Sequence, residues 1–79
     1  MGHGKRAVGP ELVALGLAIR QRREDIGLSQ VAVYSAANLP RSTYSDIERG
    51  LSAVDTLHLS AIAKVLGTTG SDLMAGVNL

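Results

Sequence analysis

Gly27, Asn38, Gly50 and Gly67 cut the chain into segments with room for one helix each, and the segments between them read as helices. Each of the four is a residue that enters the left-handed backbone region easily and so stops a helix well. The first segment opens with Pro10, which suits a first helical turn, and with Glu11 near the positive end of the helix dipole. Leu12, Leu15, Ile19 and Ile26 then recur at spacings near three, four and seven, with Arg20, Arg22, Arg23, Glu24 and Asp25 between them. This predicts an amphipathic helix of about 16 residues ending before Gly27.

Ser29 is placed to cap a short second helix, Gln30–Ala37, although Ala32 leaves the capping box half built. A third helix over Arg41–Arg49 follows Pro40 and stops at Gly50. Asp55 caps a fourth, which buries Leu59, Ile62, Ala63 and Leu66, and Thr69 and Asp72 have capping-box spacing for a short fifth helix through Met74. No stretch alternates apolar and polar residues as a strand would. The expectation is an all-α chain of five helices.

With 79 residues and no Phe or Trp, the core must be built from Ala, Leu, Val and Ile, which suits helices that meet closely. A chain of this size forms one small domain with a modest core. Residues 1–9, glycine-rich and aperiodic, read as a flexible tail ahead of a domain over 10–79. The absence of cysteine excludes a disulfide scaffold and thiolate metal sites and agrees with a reducing compartment. His3 and His58 alone cannot form a zinc site, and His58 reads as a partly exposed helix residue. No apolar run is long enough for a membrane span and no secretory leader is visible, so the expected location is the cytoplasm. No phosphate-binding glycine loop, acid pair or nucleophile–base arrangement emerges. The expectation is therefore no catalysis, no cofactor, no metal and no small-molecule ligand.

The formal net charge of +1 does not point to nucleic acid, but six of the eight basic residues lie between Lys5 and Arg41. Two short helices joined by a tight turn describe a helix-turn-helix. On a helical wheel Tyr44 and Ile47 share the core side of the third helix. Arg41, Ser42, Ser45, Asp46 and Arg49 spread over roughly 140° of the other side. Such an arc has the hydrogen-bonding groups that read base edges in a major groove, though the wheel alone does not separate it from an ordinary solvated face.

From Leu15 to Met74 the chain resembles the Cro/CI-type (XRE, phage-repressor-like) helix-turn-helix family. The resemblance rests on Leu15-Gly16, Ile19-Arg20, Arg23, Gly27-Leu28-Ser29-Gln30, Arg41-Ser42-Thr43, Ile47-Glu48-Arg49-Gly50 and Ala63-Lys64-Val65-Leu66-Gly67, at the family's spacing without a gap. It implies a compact five-helix lambda-repressor-like bundle and a sequence-specific regulator of transcription, expected to be a repressor. It also implies a homodimer on inverted-repeat operator DNA. Position by position, the resemblance gives base contacts to Arg41, Ser42, Ser45 and Asp46, with Arg41 suited to guanine. Asp46 could instead pair with Arg49 or Arg20. The resemblance gives phosphate contacts to Gln30, Arg49 and the backbone of Ser29, has Gln30 also buttress the reading helix, and makes Arg23 and Glu48 a structural salt bridge between the first helix and the reading helix. The end from Leu73 to Leu79 is apolar: either Leu73 and Met74 finish the core, or Val77 and Leu79 form a two-fold dimer interface with nearby surface of the fourth and fifth helices.

Several positions depart from the family pattern. Tyr34 stands where a small alanine is usual and should push the motif helices apart or turn outward. Arg22 replaces a common core leucine, so its stem must cover apolar surface while its head escapes. Pro40 replaces a Ser or Thr cap. Leu51–Val54 contains no basic residue, which predicts few backbone contacts and a shallow salt dependence unless a Lys5-Arg6 arm reaches the phosphates. These departures keep open a second reading, a helical protein–protein adaptor or antitoxin-type module with the same fold and weak or no DNA binding.

Overall fold

The computed structural model describes residues 9–75. Five helices follow in order: α1 Pro10–Asp25, α2 Gln30–Ala36, α3 Arg41–Glu48, α4 Thr56–Val65 and α5 Gly70–Ala75, with no strand among the described residues. The chain is all-α, as its patterning requires. Gly27, Asn38, Gly50 and Gly67 all have positive φ, at 76°, 59°, 72° and 69°. Three caps also form: Ser29 Oγ accepts from the Ala32 amide at 3.0 Å, Asp55 Oδ1 from His58 at 2.8 Å and Thr69 Oγ1 from Asp72 at 3.0 Å.

The core contains Leu15, Ile19, Val33, Leu39, Tyr44, Ile47, Ile62, Ala63, Leu66 and Leu73, so every helix contributes to it. α1 packs on α3 and α5, α2 on α3 and α4, and α4 on α5. α3 is thereby held between α1 and α2. Leu12 and Leu59 are only half-buried, whereas Ile26 lies one residue past α1 and is 41% exposed instead of joining its apolar stripe. α2 ends one residue earlier than the sequence suggests, at Ala36. α3 likewise ends at Glu48 with Arg49 as its cap, and α5 runs on to Ala75.

Two of the irregular positions settle differently from expectation. The Arg22 head reaches the surface but is tethered there: its Nε donates to Leu66 O at 2.9 Å and its NH2 to Gly67 O at 3.2 Å. It thus covers carbonyls at the C-terminal end of α4, which carry the negative end of that helix's dipole. Tyr34 neither turns fully outward nor keeps the helices from meeting. It is half-buried against the core, with its ring centroid 6.2 Å from that of Tyr44 at a tilt of 48°, within the range of favourable aromatic pairs.

Candidate nucleic-acid interface

α3 is anchored by Tyr44 and Ile47, which are 0% and 2% exposed. With that side fixed, the opposite arc faces outward. Arg41, Ser42 and Arg49 are exposed, while Ser45 and Asp46 are half-buried. Arg41 and Ser42 lie in the first turn of α3, after Pro40, whose φ of −62° sets the chain for helix entry without a side-chain cap bond. Asp46 Oδ1 lies 3.9 Å from Arg49 NH1, whereas Arg20 pairs with Glu24 on its own helix at 3.1 Å. Ser29 spends its hydroxyl on capping α2. Lys5, Arg6, Val77 and Leu79 lie outside the described residues.

The orientation of α3 is set by one buried carboxylate. Arg23 grips Glu48 with two bonds, Nε to Oε2 at 2.7 Å and NH2 to Oε1 at 3.1 Å. Gln30 Nε2 donates to Oε1 at 2.9 Å, and the Tyr44 hydroxyl donates to Oε2. Arg23 NH1 also donates to Leu28 O in the turn at 2.9 Å. The network therefore ties α1, the turn, α2 and α3 together at a single point. Among the described residues no buried side-chain polar atom lacks a partner. A buried charge is tolerated only on such terms. Gln30 thus braces the reading helix directly.

Sequence reasoning placed Tyr44 in the core for its ring and missed its hydroxyl. The signal was available: Tyr44 and Glu48 are four apart on one helix, hence neighbours on one face, and a buried phenol needs a partner.

The network fixes how stability should depend on pH. Burial is the largest single influence on Glu48 and pushes its pKa up, but hydrogen bonds from Arg23, Tyr44 and Gln30, with the Arg23 charge, outweigh it and hold the group below its ordinary 4.5. Burial and the bond to Glu48 push Tyr44 above its ordinary 10. The bond to Glu48 raises Arg23 despite burial. A lowered carboxylate contributes stability that is complete above its unfolded pKa and is lost as pH falls through its folded one. A raised phenol contributes stability that is complete below about pH 10 and is lost as pH rises through its folded value. Urea midpoints should therefore hold level in between and fall at both ends. Glu48→Gln should flatten the acid limb.

A small helical fold, an outward polar arc on a firmly seated third helix and a carboxylate network that fixes its angle together define a helix-turn-helix DNA-binding regulator. The helix-turn-helix family profile matches residues 19–73. The chain belongs to that family, in its Cro/CI (XRE) branch. Among solved structures, it is similar to the restriction-modification controller protein C.AhdI from Aeromonas hydrophila, with 29% identity over 82% of this chain and 98% of that one, at a TM-score of 0.79. It is also similar to the clp gene regulator ClgR from C. glutamicum, with 28% identity over 82% and 84% of the two chains and a TM-score of 0.77. A hypothetical transcription factor from Neisseria shares the fold at 20% identity, over 92% and 86%, with a TM-score of 0.76. No curated protein sequence matches. Among the described residues no helix is long and apolar enough to cross a membrane.

Proposed function

We propose that this chain is a cytoplasmic, non-catalytic repressor in which residues 10–79 act as one DNA-binding unit and α3 enters the major groove. The observation that carries this reading is the open edge formed by Arg41 and Ser42 on a helix whose other side is buried through Tyr44 and Ile47. In this reading Arg41, Ser42, Ser45 and Asp46 face base edges. Arg41 makes the strongest discrimination, because a guanidinium bonds guanine O6 and N7 together. Ser29, Gln30 and Arg49 meet phosphates and set the register, with Lys5 and Arg6 as an arm toward the backbone.

The reading includes a homodimer on an inverted repeat, because half-sites one helical turn apart require two copies of α3. Leu57 is 80% exposed on α4 and Met74 41% on α5. Apolar surface of this kind suits a two-fold contact, and the same reading assigns Val77 and Leu79 to that interface.

Fluorescence anisotropy against a randomised duplex pool, followed by the selected duplex, tests the reading. Arg41→Ala should cost about 1–3 kcal/mol of binding and relax preference at one base pair. Gln30→Ala should weaken all sequences alike. Unchanged affinity in both variants would favour the adaptor reading.

A further inference from the structure

Between α1 and α3 runs an open groove lined by Val13, Leu17, Arg20, Gln30, Ser45 and Arg49, with the Arg23–Glu48 pair at its base. Above that base its walls combine two exposed guanidiniums with a side-chain amide, a hydroxyl and the exposed side chains of Val13 and Leu17. Glu48 adds little negative potential, because its charge is consumed by Arg23 and by hydrogen bonds from Gln30 and Tyr44. The groove is continuous with the reading face through Ser45 and Arg49, which belong to both.

Arg23 is committed to Glu48 across the groove, whereas each exposed groove arginine, Arg20 and Arg49, is paired with an acid from its own segment. Arg20 pairs with Glu24 at 3.1 Å, with side chains 57% and 48% exposed, and Arg49 with Asp46 at 3.9 Å; the same Glu24 oxygen lies 3.9 Å from Arg23 NH2, a longer contact than the one to Arg20. Exposed pairs of this type are weak and are easily exchanged for a better acceptor. A phosphodiester is such an acceptor: an anion that takes the guanidinium fork in two charge-assisted bonds.

We infer that this groove is a binding site for a DNA-backbone phosphodiester, in which Arg20 is a phosphate-positioning residue and Glu24 is its built-in competitor. The inference rests on the reading of α3 as the DNA-facing helix and extends it to α1. A backbone leaving the α3 edge past Arg49 meets Arg20 next, and binding swaps the Glu24 carboxylate for the phosphate. Glu24 thereby lowers affinity for every sequence equally, which favours release from duplex that lacks the preferred bases.

The test is anisotropy binding to a mixed-sequence 24-base-pair duplex over a salt series, for four variants that keep the wild-type thermal midpoint. Arg20→Met should lower affinity about eightfold at 0.1 M salt and reduce the salt slope by about 0.9, the loss of one phosphate contact. Lys64→Met, which removes an exposed cation on α4 outside the groove, should change the slope much less. Glu24→Gln should raise affinity about twofold, the scale of a released exposed ion pair, and should have no effect in the Arg20→Met background. An unchanged slope in Arg20→Met overturns the inference. So does a Glu24→Gln gain that persists without Arg20, because that gain would be general charge. Failure of the wild-type chain to bind any duplex would instead sink the DNA reading itself.

Discussion

Replacing Glu48 with alanine should cost about 3–5 kcal/mol of folding stability, because it leaves the Arg23 guanidinium buried without its counter-ion. The Arg23 and Glu48 side chains are 11% and 3% exposed, so water screens the pair little. A chain of this length has about 4–12 kcal/mol to lose. Glu48→Ala is therefore expected to be largely unfolded at 37 °C if wild-type stability lies at the low end of that range. Urea denaturation followed by far-UV circular dichroism checks this. The loss would come from the stranded partners rather than from the pair's net worth, so removing both should recover most of it. Arg23→Met with Glu48→Leu should regain stability, less the cost of the Tyr44 hydroxyl left without its acceptor, about 1–3 kcal/mol. Adding Tyr44→Phe should remove that residue of the cost. If the triple variant stays as unstable as Glu48→Ala, the defect is packing at the α1–α3 contact and not an uncompensated charge.

This cluster also marks how far the fold and the candidate site were legible in the sequence. Helix stops and caps were readable because their causes are local: a left-handed residue after a helix, or an oxygen three residues before an amide. The Arg23–Glu48 link was readable only through the family's spacing, since nothing in either helix alone names a partner 25 residues away. The same long reach hid the role of Arg22, whose acceptors lie 44 and 45 residues on, at the end of α4. Ile26 was misplaced for the opposite reason. Periodicity continues through the letters of a sequence after the helix itself has stopped, so its side chain leaves the stripe that Leu15 and Ile19 hold. Tyr34 eluded a reading that treated a large ring as an obstruction, because that reading left out the tilted partner, Tyr44, that makes room for it favourable.

A last feature that no local pattern reveals is how closely α1 and the end of α3 approach; Gly16→Ala and Gly50→Ala measure it, with Gly27→Ala as the reference for backbone strain alone. At Gly16 an added Cβ would lie 2.5 Å from Glu48 O and 2.6 Å from Ile47 O, both backbone atoms that cannot swing aside. At Gly50 it would lie 2.7 Å from Val13 Cα, and φ is +72°. At Gly27 φ is +76° but nothing lies within 4 Å. Gly27→Ala thus isolates the left-handed penalty, about 1–2 kcal/mol. Gly16→Ala isolates overpacking, about 1–3 kcal/mol, partly offset by alanine's helix preference of up to about 1 kcal/mol. Gly50→Ala combines strain with collision and should lose the most, about 2–5 kcal/mol. At about 4–8 °C of midpoint per kcal/mol for a domain of this size, thermal unfolding resolves Gly50→Ala clearly from Gly27→Ala. Gly16→Ala carries a further signature, because Ile47 and Glu48 belong to the reading helix. Pushing them away from α1 moves Arg41 and Ser42 as well, so duplex affinity should fall even at temperatures where the variant is fully folded. If Gly16→Ala is instead more stable than the wild type, helix preference has won. The two backbones would then have room that the Gly16 contacts deny.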